Sequence, residues 1–213
     1  MAFLRSALPE DFLEPVPGHG LVLRPPSTSD YAEWAELRSL SRAHLTPWEP
    51  SWSRDELSRS SFRRRLRAYG QDARDDLGYS FFITDAASGK MLGGMNISNV
   101  RRGAAQSASL GYWIGAPYAG QGIMQKAVRT ALPFAFRGLH LHRIEAASML
   151  SNIRSQLVLE KTGFTREGVA RRFLKINGAW EDHIIFSRLE DDALIAGAIT
   201  GANQMSVMPG CQP

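Results

Sequence analysis

Residues 110–126, with the sequence LGYWIGAPYAGQGIMQK, combine residue types that can hold an anionic ligand on the main chain. An apolar, β-prone run over residues 110–114 leads into a loop with Gly120 and Gly122, and a helical pattern begins at Ile123. The first turn of a helix leaves backbone N–H groups without partners, and glycines let a ligand approach them closely. The spacing therefore predicts a pyrophosphate site, with a simple tight strand-to-helix turn as the alternative.

The common nucleotide fingerprints do not fit this loop. The chain has no GxxxxGK[ST] motif, and Gln125 stands where GxGxxG would place its third glycine. A nucleoside triphosphatase or a dinucleotide-dependent dehydrogenase is therefore disfavoured as the function of this protein.

The same loop resembles the coenzyme signature of the GNAT acetyltransferases, which has the pattern [Q/R]xxGx[G/A]. The central glycine of the pattern is present as Gly122, whereas Ala119 and Met124 depart from its two ends. These departures are similar to those of the RimJ/RimL branch, the ribosomal-protein alanine N-acetyltransferases. Three other segments resemble that branch in the same order: the loop HLTPWEP (44–50), the pantetheine helix and its turn (152–164), and the closing hairpin (167–183).

The resemblance implies an α+β GNAT fold, with a mixed central sheet of about six to seven strands flanked by about four helices. It implies acetyl-CoA as the donor substrate and no metal. The residues that it places against the coenzyme are Trp113, Ile114, Gly120, Gln121, Gly122, Ile123, Met124, Asn152 and Ser155.

Acetyl transfer to an amine needs a neutral amine, a polarised thioester carbonyl and a proton for the departing thiolate. An α-amino group has a pKa of about 7.7 to 8.0, so its neutral form costs only about 1 kcal/mol at pH 7. The same step for lysine costs nearly 5 kcal/mol, about five times as much. An enzyme that acts on protein N-termini therefore needs only a modest base.

The usual base of the family is a glutamate on the strand before the pyrophosphate loop, and Ser109 stands there in this chain. The nearest carboxylate that the resemblance places at the acceptor end is Glu49, in the TPWEP loop. Pro47 and Pro50 stiffen that loop and lower the entropy cost of positioning a charge. Glu49 is therefore the candidate for a general base or an ammonium binder, with a surface glutamate in a turn as the alternative.

The resemblance assigns the other two requirements, carbonyl polarisation and thiolate protonation, to the end of the strand before the glycine loop and to the segment 152–164. The resemblance implies that a backbone N–H within residues 113–115 polarises the thioester carbonyl as an oxyanion hole. The tyrosine acid of many relatives is replaced by Leu159, whereas Ser155 resembles the serine used by the RimJ/RimL branch; a helix-surface serine is the alternative. Asn152 is expected either to bond the pantetheine amide or to cap the helix.

Some neighbouring residues invite a catalytic interpretation that the strand pattern does not favour. Tyr112 and Trp113 are expected to pack, one on each face of their strand. Asp182 and His183 are also successive strand residues, which excludes an acid–base dyad, and His183 is expected to be a satisfied sheet histidine. No Cys, His and carboxylate spacing indicates zinc.

The composition is that of an ordinary soluble globular chain. The 213 residues are 44% hydrophobic and 22% charged, with a net charge of +4, which suits one domain with a full core. No apolar run reaches the length of about 18 residues that a membrane span needs. The single cysteine, Cys211, has no internal disulfide partner, which favours a reducing cytoplasm.

The chain divides into an irregular arm (1–19), one acetyltransferase domain (20–190) and a flexible tail (191–213). A capping box at Ser53 and Glu56 starts the second helix, Pro133 shortens a later one, and Asn177 with Gly178 forms a hairpin turn. The pattern predicts strands over residues 21–24, 79–84, 91–100, 107–114 and 143–148, helices over about 31–41, 53–70, 122–137 and 153–161, and a hairpin over about 165–190.

These features predict an acetyl-CoA-dependent N-acetyltransferase that modifies a protein N-terminus by direct transfer in a ternary complex, with ribosomal proteins as the branch's substrate class. A GNAT enzyme that acts on a small amine such as an antibiotic, and a catalytically weak acyl-CoA-binding regulator, are the alternatives. Four arginines on the second helix suggest a weak contact with ribosomal RNA, against the alternative of a solvated helix face: Arg63, Arg64, Arg65 and Arg67. A monomer and a homodimer both remain open.

Overall fold

Seven segments rich in apolar and β-branched residues form one mixed sheet in the computed structural model, which describes residues 20–192. The sheet order is β1-β2-β3-β4-β5-β7-β6, and β4 and β5 are a parallel pair between antiparallel neighbours. The predicted arm, and the predicted tail beyond residue 192, lie outside the described residues. The strands are β1 (Leu21–Arg24), β2 (Gly78–Asp85), β3 (Met91–Arg101), β4 (Ser107–Ile114), β5 (Arg143–Met149), β6 (Thr165–Ile176) and β7 (Ala179–Leu189).

Within residues 20–192, five α-helices connect the strands. They are α1 (Tyr31–Leu40), α2 (Arg42–Leu45), α3 (Arg59–Arg74), α4 (Ile123–Pro133) and α5 (Ile153–Lys161). The helix predicted to run to about residue 137 is α-helical only as far as Pro133, the residue expected to kink or shorten its last turn, and the chain continues as a π-helical segment over Phe134–Gly138. No helix among residues 20–192 is both long and apolar enough to cross a bilayer.

The start of α3 differs from the prediction, which placed it at Ser53. The helix begins at Arg59, and the side chain of Ser58 caps it by accepting a hydrogen bond from the Ser61 N–H at 3.1 Å. Ser53 Oγ instead donates to Asp55 Oδ1 at 2.8 Å within a turn. The glutamate that the predicted capping box needs, Glu56, is bound by an arginine of α3, so a tertiary ion pair overrides the local motif.

The sheet buries both of its faces against helices. On one face α4 and α5 cover the larger core, to which β4 contributes Leu110 and β7 contributes Phe186. On the other face α1 and α3 cover a smaller aromatic core around Trp34 and Phe62, and Trp113 of β4 packs there. Alternate residues of β4 therefore serve opposite faces, as period-2 geometry requires.

Arg143 ties the last three strands together at the start of β5. Its guanidinium donates to Glu167 Oε1 at 2.7 Å and to Glu145 Oε1 at 2.9 Å, and Ser187 Oγ donates to Glu167 Oε1 at 2.7 Å. The hydrogen bonds from Arg143 and then Ser187 outweigh burial and lower the pKa of Glu167 to about 2. The Glu167 carboxylate of β6 is thus bonded to both β5 and β7 and stabilises the pairing of these three strands.

Candidate active site

A cleft opens where β4 and β5 separate. The two strands pair only over residues 107–109 and 143–145, and beyond these residues β4 continues against β3 alone. The Gly115 N–H donates to the Leu92 carbonyl of β3 at 2.8 Å. Backbone groups alternate in direction along a strand, so the preceding N–H, that of Ile114, points toward the opening. The sheet therefore turns a main-chain donor into the cleft.

A cavity of about 940 Å³ occupies this opening. It runs from the glycine loop before α4, past the splayed strands, to residues 43–49. Gln121 is the predicted coenzyme-binding residue that is absent from its wall, because its side-chain amide donates to the Pro117 carbonyl at 2.9 Å. The structure brings together the other predicted residues: Trp113, Ile114, Gly120, Gly122, Ile123, Met124, Asn152 and Ser155.

The loop before α4 has the backbone conformation that its glycines predict. Gly120 and Gly122 have φ angles of +79° and +73°, a left-handed region that L side chains rarely adopt. A Cβ built at either glycine meets no atom within 4 Å, so the loop faces open space. The first-turn N–H groups of Ile123, Met124 and Gln125 have no intrahelical acceptor, and the arrangement fits a pyrophosphate.

Tyr112 and Ser155 bring two hydroxyl groups together across the cleft. Tyr112 Oη and Ser155 Oγ are 3.0 Å apart, and Tyr112 Oη lies 3.3 Å from the Ser155 carbonyl oxygen. Burial raises the pKa of Tyr112 to about 12, which keeps the phenol protonated at neutral pH. Asn152 caps α5, because its Oδ1 accepts the Ser155 N–H at 3.1 Å.

The prediction for Tyr112 was packing alone, and it missed this hydroxyl contact. Tyr112 does pack against the larger core, on the same face of β4 as Leu110. The sequence signal that was available is the alternation of β4, which places Tyr112 on the face that α5 covers. The distance between β4 and α5 depends on tertiary packing. The alternation pattern therefore does not predict the contact between the Tyr112 and Ser155 hydroxyls.

Glu49 is held in an ion pair at the end of the cleft that residues 43–49 line. Two guanidinium nitrogens of Arg38 donate to the two Glu49 carboxylate oxygens, each at 2.7 Å, and Trp52 Nε1 donates to Oε2 at 2.8 Å. The Arg38 side chain is only 7% exposed and lies over the rings of Trp52 at 4.5 Å and Trp113 at 5.1 Å. This bidentate clamp sets the direction of the carboxylate.

The hairpin between β6 and β7 supports the same loop from its other side. Its turn is formed by Asn177 and Gly178, with φ angles of 43° and 90°, as the Asn-Gly pair predicts. The Asn177 N–H donates to the Glu49 carbonyl oxygen at 2.9 Å. The TPWEP loop is therefore held between α1 and the hairpin.

His183 is a hydrogen-bonded histidine of the sheet, as expected, and it also lines the cleft. The residue is 3% exposed and lines the cavity, and its Nδ1 lies 3.0 Å from the Glu181 carbonyl oxygen. Asp182 faces away, since its carboxylate accepts the Arg172 N–H at 2.7 Å. The two residues form no dyad, as strand alternation predicts.

A second cavity of about 400 Å³ lies on the sheet face covered by α1 and α3. Glu49 and Trp113 belong to the walls of both cavities, so they mark the boundary between them. The remaining walls are largely aromatic and charged, and include Trp34, Arg38, Trp52, Glu56, Phe62, Arg65 and Tyr69. The second cavity therefore meets the cleft at Glu49 and Trp113.

The arginine cluster on α3 is partly neutralised. Arg64 lies 3.3 Å from Asp55, and Arg65 is paired with Glu56, whereas Arg63 and Arg67 are exposed. A contact with ribosomal RNA stays a prediction. Within residues 20–192 no group of three His, Cys, Asp or Glu side chains is placed to hold a metal ion.

The fold agrees with comparisons to known proteins. Residues 20–165 match the model of the acetyltransferase (GNAT) domain, so the chain belongs to the GNAT acetyltransferase family, and the predicted family and fold are confirmed. The chain is 37% identical over 175 residues to the probable N-acetyltransferase YjcK of Bacillus subtilis, covering 82% of this chain and 97% of that protein.

Two further relatives carry more specific names. The [ribosomal protein uS5]-alanine N-acetyltransferase of Escherichia coli is 33% identical over 165 residues, which cover 78% of this chain and 85% of that enzyme. The structure of Mycobacterium smegmatis RimJ in complex with CoA-disulfide superposes with a TM-score of 0.76 at 32% identity, covering 83% of this chain and 89% of that one. The chain is thus similar to enzymes of the predicted branch.

Proposed function

We propose that this acetyltransferase moves the acetyl group of acetyl-CoA to the N-terminal α-amine of a protein, with ribosomal proteins as the substrate class. The observation that carries the proposal is the continuous cleft from the glycine loop to Glu49, where a second cavity meets it. A donor and an acceptor can enter from these two sides and meet between β4 and β5. The names of the uS5-alanine enzyme and of the RimJ–coenzyme complex support this acceptor and this donor.

The donor is proposed to lie with its pyrophosphate on the loop around Gly122 and its pantetheine arm along the open edge of β4. The residues fit such a ligand, because the glycines leave free space and the first turn of α4 offers N–H donors. Asn152 has its side-chain oxygen engaged as a helix cap, so its amide nitrogen is the group left for the pantetheine.

The Ile114 N–H is the proposed donor to the thioester carbonyl. Within the predicted window of residues 113–115, it is the group that strand alternation turns into the cleft. A main-chain donor is already fixed in place before the oxyanion develops, so it stabilises the transition state without reorganisation.

Ser155 is proposed to donate a proton to the leaving thiolate, with Tyr112 donating in turn to Ser155 Oγ. A serine hydroxyl alone is a weak acid, and the 3.0 Å contact lets the phenol stabilise negative charge as it develops on Ser155. A thiol with a pKa of about 8.5 needs little assistance near neutral pH. The two hydroxyls are therefore sufficient for this step.

Glu49 is proposed to bind the acceptor ammonium rather than to take its proton. Three hydrogen bonds from Arg38 and Trp52 already occupy the carboxylate and fix its direction. A carboxylate oxygen has further lone pairs, so Glu49 can still accept a hydrogen bond from an N-terminal ammonium. The boundary position between the two cavities suits this role.

The acceptor is tested by incubating the protein with acetyl-CoA and short peptides that differ in their N-terminal residue, while free thiol is measured. N-terminally blocked peptides with an internal lysine are the control. Thiol release with free N-termini alone supports the proposal. Acetylation of small amines but of no peptide supports the small-amine alternative, and coenzyme binding without any acetylation supports the regulator. A cytoplasmic location stays a prediction.

A further inference from the structure

The proposed reaction still requires a group that removes a proton from the acceptor ammonium. Ser109 replaces the carboxylate expected on β4, and its hydroxyl accepts a hydrogen bond from Asn99 Nδ2 at 3.4 Å. Glu49 is committed to Arg38 and Trp52. Resting on the proposed function, we infer that His183 is the general base of this enzyme and that Nε2 of its imidazole takes the proton.

The hydrogen bond of His183 assigns its tautomer. Nδ1 lies 3.0 Å from the Glu181 carbonyl oxygen, and a carbonyl can only accept, so Nδ1 carries the hydrogen in the neutral ring. Nε2 is then the nitrogen with a free lone pair. Because the ring lines the cavity while Nδ1 is turned to the backbone of β7, Nε2 is the nitrogen left for the cavity.

The imidazole is held in place from several sides. His183 pairs with Met149 of β5 and with Ala170 of β6, so its backbone sits inside the sheet. The ring of Phe173 packs edge-on against the imidazole, with the centroids 5.8 Å apart. With 3% of the residue exposed, the base is buried and oriented before the acceptor arrives.

The register of β7 places His183 on the acceptor side of the sheet. The next residue, Ile184, points into the core that α4 and α5 cover, so His183 points to the opposite face. That is the face on which Trp113 packs and toward which the second cavity opens. His183 Nε2 therefore meets the cleft from the side on which Glu49 is placed to hold an ammonium.

The other titratable side chains of the cavity wall are His44, Glu49, Tyr112, Tyr118, Arg154 and Lys161. Asp182 is on the other face of β7, and Glu181 contributes its carbonyl oxygen to the imidazole. His44 is the alternative imidazole, and it belongs to a helix of four residues rather than to the sheet. The backbone anchor and the burial favour His183.

The step balances as follows for an acceptor that enters as an ammonium ion. His183 Nε2 takes one proton, the nitrogen forms a bond to the acyl carbon, and the carbon–sulfur bond breaks. The thiolate takes the Ser155 hydroxyl proton, and the second proton of the nitrogen restores that hydroxyl through solvent. His183 finally releases its proton to solvent, so one proton leaves for each amide formed.

The test measures kcat/KM for an N-terminal peptide between about pH 6 and pH 9, with acetyl-CoA affinity by calorimetry, for His183→Asn and His183→Gln. Asn can keep the bond to the Glu181 carbonyl, and Gln can keep the reach into the cavity. We expect unchanged coenzyme affinity and a loss of about 100-fold near pH 7, the usual contribution of a general base. Activity of the variants should then rise with the free-amine fraction, up to an amine pKa of about 7.7 to 8.0.

Two controls make the result decisive. His142→Gln alters an exposed histidine outside the cavity and should leave the profile unchanged. The base assignment is overturned if His183→Asn binds the coenzyme and keeps the wild-type profile, or if His44→Gln causes the loss instead.

A measurement on the wild-type protein covers the case in which neither variant folds. With peptides whose N-terminal amines differ in pKa, the acid limb of kcat/KM should stay at one pH, because it reports the enzyme base. A limb that follows the amine pKa refutes the inference. If the wild-type protein acetylates no peptide at all, the proposed function fails in the same experiment, and the assignment of His183 fails with it.

Discussion

Replacing Tyr112 with phenylalanine removes one hydroxyl and keeps the ring that packs between β4 and α5. The phenol oxygen lies 3.0 Å from Ser155 Oγ, and a neutral hydrogen bond of this kind contributes about 0.5–1.5 kcal/mol to stability. We therefore expect the free energy of unfolding to fall by about 1 kcal/mol.

In the proposed mechanism, the effect on turnover comes from charge that develops on Ser155 during thiolate protonation. A charge-assisted hydrogen bond is roughly twice as strong as a neutral one, so the phenol should stabilise the transition state by about 1 kcal/mol more than the ground state. That difference corresponds to a decrease of about fivefold in kcat. The KM for acetyl-CoA should stay unchanged, because the ring still packs.

The assay is steady-state thiol release at saturating peptide, carried out for Tyr112→Phe, Ser155→Ala and the double variant. If the phenol acts through Ser155, its removal has no further effect once Ser155 is alanine, and the cycle is strongly non-additive. Fully additive losses would refute the proposed action of Tyr112 through Ser155. A Tyr112→Phe variant with unchanged kcat and a raised KM for acetyl-CoA would refute it as well.

Three further predictions concern the loop, the ion pair and the sheet. Gly122→Pro removes an N–H from the loop before α4 and should weaken acetyl-CoA binding at least tenfold, or about 1.4 kcal/mol, as measured by calorimetry. The control Gly89→Ala changes a distant glycine that also has a positive φ, and it should leave the affinity unchanged. Arg38→Met leaves Glu49 without its ion pair, so it should lower the free energy of unfolding by about 3 kcal/mol and raise the peptide KM. Unchanged values of both quantities would contradict the role of the ion pair. The Glu167 pKa is lowered from 4.5 to about 2, so this carboxylate stabilises the fold at higher pH and the contribution is lost as the pH falls from about 4.5 to 2. In acid denaturation curves, Glu167→Gln should make the stability less dependent on pH in this range. A curve parallel to that of the wild type would disprove the contribution of Glu167.

Much of the fold was predictable because it depends on neighbouring residues. The predicted strand over residues 107–114 and the predicted helix over residues 153–161 match β4 and α5, since each has a clear apolar pattern and clear end signals. The Asn177 turn follows from local backbone preferences. The start of α3 was wrong for the opposite reason, because Glu56 bonds an arginine in tertiary contact rather than the local backbone.

The sequence by itself determined the loop that is proposed to hold the donor. A strand, a glycine loop and a helix N-terminus are consecutive, and the φ angles of Gly120 and Gly122 with the free N–H groups after them are local properties. Tertiary structure decided which side chains meet across the cleft. The Arg38–Glu49 clamp and the Tyr112–Ser155 contact join residues that are 11 and 43 positions apart, and the approach of His183 to the cleft depends on strand register. Such contacts depend on where β4 and β5 part and how the helices pack on the sheet, and no local pattern encodes those distances.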